Sequence, residues 1–191
     1  MDKLTINADH GAQQQWLLKY YAARAAFSLA WVLAALSLAK QSRGIEAALL
    51  VLYPVWDALA NLGDGARSGG LARNRTQSLN AVVSLAVAAA VALALPDMHL
   101  VLGVWGAWAI LSGLLQLGTG LRRRKAYGAQ WAMMLSGAQS ALAGAFFMFQ
   151  ATTPAEPSIM SVGGYAGLGA FYFLVSAVSL GVRHAAPKLS A

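Results

Sequence analysis

Residues 75–97 read RTQSLNAVVSLAVAAAVALALPD and residues 99–122 read HLVLGVWGAWAILSGLLQLGTGLR. Arg75 and Asp97 are separated by 21 uncharged residues, His99 and Arg122 by 22. About 20 consecutive apolar residues are what an α-helix needs to cross the hydrocarbon core of a bilayer. Two such stretches back to back cannot be hidden inside one small soluble domain. The rest of the chain has the same character: of 191 residues, 58% are hydrophobic and 11% charged, against about a quarter charged in an average soluble domain. Soluble enzyme classes are excluded on that ground.

Working outward from these two stretches, apolar runs between polar punctuation give six spans, at about 20–39, 47–63, 79–95, 100–121, 129–150 and 162–182. The expected fold is all-α, a polytopic membrane protein of six transmembrane helices. The expected organisation is a cytoplasmic N-terminal segment over 1–19, a transmembrane domain over 20–183 and a cytoplasmic tail over 184–191. Residues 1–19 contain Asp2, Asp9 and Gln13 to Gln15. They lack the basic start and apolar run of a secretory signal, so the N-terminus is expected to be retained.

Fourteen Lys and Arg against seven Asp and Glu give a net charge of +7. In a soluble chain that excess would suggest nucleic acid, but here the cations sit in short segments between apolar runs, and no nucleic-acid partner is expected. Twelve of the fourteen fall on one side: Lys3, Lys19, Arg24, Arg67, Arg73, Arg75, Arg122, Arg123, Arg124, Lys125, Arg183 and Lys188. The opposite connections hold Lys40 and Arg43, with Asp97, His99 and Glu156 in loops without Lys or Arg. The positive-inside rule therefore puts both termini in the cytoplasm. The outer connections are short, the longest being about 151–161, so no extracytoplasmic domain is expected. The chain has no cysteine, which removes disulfides, thiolate catalysis and thiolate metal sites.

A shift of 52 residues aligns Trp56 with Trp108, Leu59 with Leu111, Leu62 with Leu114, Ser84 with Ser136 and Ala89 with Ala141. A weaker echo sets Trp108, Leu111 and Ser112 beside Tyr172, Val175 and Ser176. The spans thus read as repeated helical hairpins, parallel copies about an axis along the membrane normal. Ser136, Ser140 and Gly144 recur every four residues, as do Gly137, Ala141 and Ala145, and Gly163 and Gly167 open the last span. Small residues at that spacing let backbones approach closely, within one chain or between copies in a homo-oligomer.

The stretch from Trp105 to Gly118, the basic turn Arg122 to Lys125 and the stretch from Trp131 to Gly144 together resemble the HdeD-like family of six-helix inner-membrane proteins, defined by a short repeated helical hairpin. The resemblance runs from the second span to the sixth. It implies a bacterial inner membrane and a part in envelope or acid stress, and brings no catalytic residues with it.

Polar chemistry concentrates in the second span. Tyr53, Asp57, Asn61 and Asp64 are spaced by four, four and three and share one helix face. Asp57 lies roughly 10 Å deeper than Asp64 at 1.5 Å per residue, and Asp64 is placed at the cytoplasmic edge. A carboxylate at that depth costs about 2.5–3.5 kcal/mol unless paired, hydrated or protonated. Arg24, about one turn inside the first span, is long enough to reach it. Pro54 removes one backbone donor and can kink the helix just before the carboxylate.

Arg24, Tyr53, Asp57 and Asn61 are the candidate intramembrane site, with two readings open: an interhelical clamp, or a site that takes up a proton or solute. Gln116 and Gln139 read as packing amides that could also line a polar path. Arg122, Arg123, Arg124 and Lys125 are the candidate contact for anionic lipid headgroups. The run Gly63 to Gly70 lacks the ending of a phosphate loop and reads as a flexible turn. His10, His99 and His184 fall at loops or termini on different sides and form no metal site. Trp16, Trp105 and Trp131, near span ends, read as interfacial anchors. Taken together, the residues point to a non-enzymatic inner-membrane protein without cofactor, with lipids as partners, acting in stress response or as a scaffold. The alternative is a proton-linked transporter or channel using Asp57.

Overall fold

The structure is a computed structural model that describes residues 3–125 and 130–185, with side chains over 11–125 and 130–182. Most of the tail 184–191 and the side chains of Lys3, His10, Arg183 and His184 lie outside the described residues, as does Lys188. Among the described residues the chain forms α1 (Lys3–Ser37), a short 3-10 turn (Ala39–Gln41), α2 (Arg43–Arg67), α3 (Arg75–Ala94), α4 (Met98–Arg123), α5 (Gln130–Gln150) and α6 (Ile159–Ala185). Each of the six α-helices contains a segment long and apolar enough to cross a membrane. The 20 residues of α3 reach about 30 Å at 1.5 Å per residue, the thickness of the hydrocarbon core.

The helices run past the apolar stretches that announce them. The segment over 1–19, set apart on sequence grounds, is helical from Lys3 and continuous with the first span, so α1 has 35 residues. Side-chain caps fix two helix starts. Ser42 accepts a hydrogen bond from the Gly44 amide, and the Asp97 carboxylate accepts from the amides of His99 and Leu100 at 2.8 and 3.3 Å. The turn between α2 and α3 is tied down rather than loose. Asn74 donates to the carbonyls of Gly65, Ser68 and Gly70, while Gly69 and Gly70 take the left-handed backbone (φ 101° and 93°) that reverses the chain.

Each helix packs on its neighbours in chain order and α1 packs on α6, so the six close into a ring. Tight and loose seams alternate around it. The α4–α5, α6–α1 and α2–α3 pairs are closely packed, and the α1–α2, α3–α4 and α5–α6 seams are sparser. Burial repeats in the same rhythm. Under the 52-residue shift, buried Leu50, Tyr53, Asp57 and Ser84 fall on buried Leu102, Trp105, Ala109 and Ser136. Ser112 likewise falls on Ser176 across 64 residues, and both are buried. The α2–α3 and α4–α5 pairs therefore turn equivalent faces inward, and α6 repeats the inner face of α4 at Ser176.

The outer surface of the ring is apolar. Leu33, Leu93, Leu142, Phe149 and Leu174 are all more than half exposed, which in water would be a contiguous apolar patch and in a bilayer is the lipid contact. The interior divides along its length. Toward the end where α1 begins and α2 and α4 finish, polar side chains of α2, α3 and α4 lie beside a smaller apolar cluster that includes Leu17, Tyr21, Met133, Phe173 and Leu180. Toward the other end a core of Trp31, Leu50, Tyr53, Trp105, Trp108 and Phe147 fills it with aromatic rings in edge and tilted contact. Trp105, read as an interfacial anchor, belongs to this core and is fully buried. Its seven-residue relation to Ser112 turns it onto the inner face of α4. Trp131 is exposed.

Candidate functional site

The four candidate residues meet inside the ring. Asp57 faces the interior from α2 and forms a buried ion pair with Arg24 of α1. Its second oxygen accepts hydrogen bonds from Ser84 Oγ (2.9 Å), Asn61 Nδ2 (3.0 Å) and Asn80 Nδ2 (3.4 Å). Asn61 also donates to the Asp57 carbonyl, one helical turn away. The Arg24 guanidinium donates to the Tyr20 hydroxyl at 2.8 Å and lies 4.4 Å from the centre of the Phe173 ring. An aromatic face opposite a desolvated cation recovers part of its lost hydration. Tyr53, one turn before Asp57 in α2, shares a hydrogen bond with Ser28 of α1 at 2.9 Å. It sits beside the ion pair and above it, at the base of the aromatic core.

Arg24 crosses a sparse seam to reach Asp57. Packing of α1 on α2 is slight, and the larger partner of α1 is α6. The charge pair joins the Ser28–Tyr53 hydrogen bond and the ring contacts of Phe27 and Trp31 with α2 in bridging that seam.

A second buried pair lies about two turns nearer the polar end, where the sequence suggests a solvated edge and a lipid-binding cluster. Asp64 is buried and accepts from Arg123 Nη2 at 2.9 Å, Ser68 Oγ at 3.1 Å, Gln77 Nε2 at 3.3 Å and Trp16 Nε1 at 3.3 Å. Arg123, grouped on sequence with the lipid-facing cluster, is thus engaged inside the bundle by Asp64. Helix α4 continues through it, and its seven-residue spacing from Gln116 carries it onto the interior face. Arg122 donates to Thr76, while Arg124 and Lys125 are exposed. Trp16, read as an anchor, donates its indole N–H to Asp64 and carries Arg67 against its ring.

The two tiers share one plan: an aspartate of α2, an arginine from α1 or α4, and neutral donors from α3 beside it. The α3 donors Gln77, Asn80 and Ser84 were missed in the sequence, although their spacing of three and four marks one face. Ser84 also accepts from Trp108 Nε1 at 2.9 Å, joining α4 to the Asp57 network. Ser84→Ala removes both bonds at a fully buried position. It is expected to lower stability by about 1–3 kcal/mol, the cost of leaving buried polar groups unsatisfied, read as a lowered melting midpoint in detergent.

Beside Asp57 is a chamber with about 50 Å³ of space that the centre of a water molecule can reach, lined by Trp108, Ser112, Gln116, Gln139, Ser140 and Tyr165 among others. Gln116 and Gln139 thus line a polar space, and Gln116 also donates to the Met133 carbonyl of α5. Ser140 bonds the Ala109 carbonyl and the Tyr165 hydroxyl, closing the chamber on the side of α5 and α6.

The fold and the buried network define an integral membrane protein of six apolar helices around a polar, ion-paired interior. Compared with known proteins, the chain matches no family model, no curated protein and no solved structure.

Proposed function

We propose that this chain is a non-enzymatic, multi-pass protein of a bacterial inner membrane, with both termini in the cytoplasm, built on the HdeD-like plan. It serves as a small membrane scaffold in envelope or acid stress. The observation that carries the non-transport reading is the saturation of Asp57. A carboxylate has about four acceptor sites, and here one guanidinium and three neutral donors converge on it. Taking up a proton would break that set, so the network favours a clamp that fixes helix register over a carrier that cycles. Both buried carboxylates among the described residues are committed in this way.

The cytoplasmic placement of the termini is supported by charge. Lys19, Arg67, Arg73, Arg75 and Arg122 to Lys125 gather at one end of the bundle, while Lys40 and Arg43 lie at the other. Lipids contact the apolar outer face. The alternative, a proton-linked transporter using Asp57, draws on the polar chamber that reaches that residue.

Purified protein in vesicles under an imposed pH gradient separates the two. The scaffold reading expects the same slow leak in protein-free, wild-type and Asp57→Asn vesicles. Dissipation by wild type that Asp57→Asn abolishes would replace it with the transporter. Because the chain has no cysteine, a single cysteine placed at Lys125 reports orientation, and the reading expects labelling from the cytoplasmic side alone.

A further inference from the structure

A second chamber, with about 30 Å³ of water-reachable space, lies between the Asp57 tier and the polar end of the bundle. It is bordered by Asn61, Asp64, Gln77, Thr76, Thr119 and Arg123. Asn80 and Gln116 line both chambers, so the two meet at a waist formed by these amides. Two of the bordering amides are incomplete. Gln77 and Asn80 are 4% and 7% exposed, and each donates its N–H to an aspartate. Their carbonyl oxygens, Oε1 and Oδ1, have no partner within the protein and present almost no surface to the chambers, so each amide must turn slightly to meet a water there. A buried carbonyl without a donor costs about 1–3 kcal/mol, and native interiors meet that need with ordered water wherever the space is polar and large enough.

We propose that the two chambers hold one continuous column of ordered water. It enters between Thr76 and Thr119 at the basic end, hydrogen-bonds to Gln77 and Asn80, passes Gln116 and ends beneath Tyr53 and Tyr165. The space fits: each chamber exceeds the roughly 10–15 Å³ that a cavity needs to hold a water. The chemistry fits as well. Each ion pair is internally neutral, so the chambers present amide and hydroxyl groups to a neutral ligand that both donates and accepts, and they offer a bare ion no uncompensated charge. The column stops where the rings of Trp31, Tyr53 and Trp105 close the interior. Water thus reaches halfway through the membrane from one side and does not cross. This goes beyond the scaffold reading and holds whether or not Asp57 ever exchanges a proton.

Radiolytic hydroxyl labelling of the protein in nanodiscs tests it, since radicals born from water oxidise the side chains that water touches. All four of Tyr53, Trp108, Trp31 and Phe147 belong to the aromatic core, at 6%, 2%, 2% and 4% exposure, but only Tyr53 and Trp108 also border the upper chamber. The expected result is labelling of Tyr53 and Trp108 several-fold above Trp31 and Phe147. Equal labelling of all four, or none, overturns the proposal. Gln116→Leu narrows the waist and loses only the bond to Met133 O. It should bring Tyr53 and Trp108 down to the level of Trp31 while leaving Tyr20 and Tyr21, which line the lower chamber, unchanged. Undiminished labelling in that variant would show that water arrives by another route, through the α5–α6 seam, and would overturn the column as stated. The wild-type comparison decides the presence of water even if the variant fails to fold.

Discussion

Replacing Arg24 by leucine is expected to remove about 3–5 kcal/mol of stability, the usual result of deleting one partner of a buried ion pair. Asp57 would stay buried, at 3% exposure in the wild type, with its cation gone. Asn61, Asn80 and Ser84 would still donate to it, which sets the expectation at the lower end of that range. The loss is also of a tie between α1 and α2, which pack less closely than α1 and α6. The double variant Arg24→Leu/Asp57→Leu removes both charges and should recover much of the deficit, because a buried pair replaced by apolar groups of similar volume is often neutral. Denaturant or thermal unfolding in detergent, followed by tryptophan fluorescence, measures both. A single variant as stable as wild type would show that Asp57 is hydrated or protonated once its partner is removed.

The second large effect belongs to the α4–α5 seam. A Cβ placed on Gly113 would lie 2.6 Å from the carbonyl oxygen of Gly137, and one on Gly137 would lie 2.7 Å from that of Gly113. Gly106 and Gly144 oppose each other in the same way, two turns further along. The obstacle is backbone on both sides, so no side chain can rotate clear, and the helices must separate to admit even a methyl group. Gly137→Val is therefore expected to cost about 3 kcal/mol or more, beyond the upper end of ordinary overpacking. The control lies on the same helix pair. A methyl group added at Gly118 would meet nothing within 4 Å, and Gly118→Ala should be neutral or gain about 0.5–1 kcal/mol from reduced backbone entropy. The melting midpoint should fall in Gly137→Val and hold or rise in Gly118→Ala.

The spans were readable because charge is so costly in hydrocarbon that uncharged intervals as long as 76–96 and 100–121 leave few alternatives. Asp57 was readable for the same reason: one carboxylate amid Leu, Val and Ala stands out. Arg123 was not, because three neighbouring cations supplied a sufficient surface explanation for the cluster. Its inward turn depends on how far α4 continues. Asn80 and Ser84 escaped notice because amides and hydroxyls are cheap enough in a helical bundle to occur without consequence. The glycines of α4 recur every seven residues, at 106, 113 and 120, a longer interval than the four-residue spacing seen in α5. Which seam they form depends on packing across the ring, and so does the pairing of α1 with α6.

That last pairing has a consequence for how the protein is made. Helices α2 to α5 meet their tight partners as soon as the next segment leaves the ribosome, but the tight partner of α1 is translated only after the four helices between them. Until then Leu17, Tyr21 and Ala25, nearly fully enclosed in the finished protein, remain open to lipid or to neighbouring chains. Domains assemble during synthesis in the order their parts emerge, so release of a truncated product lacking α6 should leave an open arc instead of a ring, and such a fragment is the natural substrate for membrane quality control.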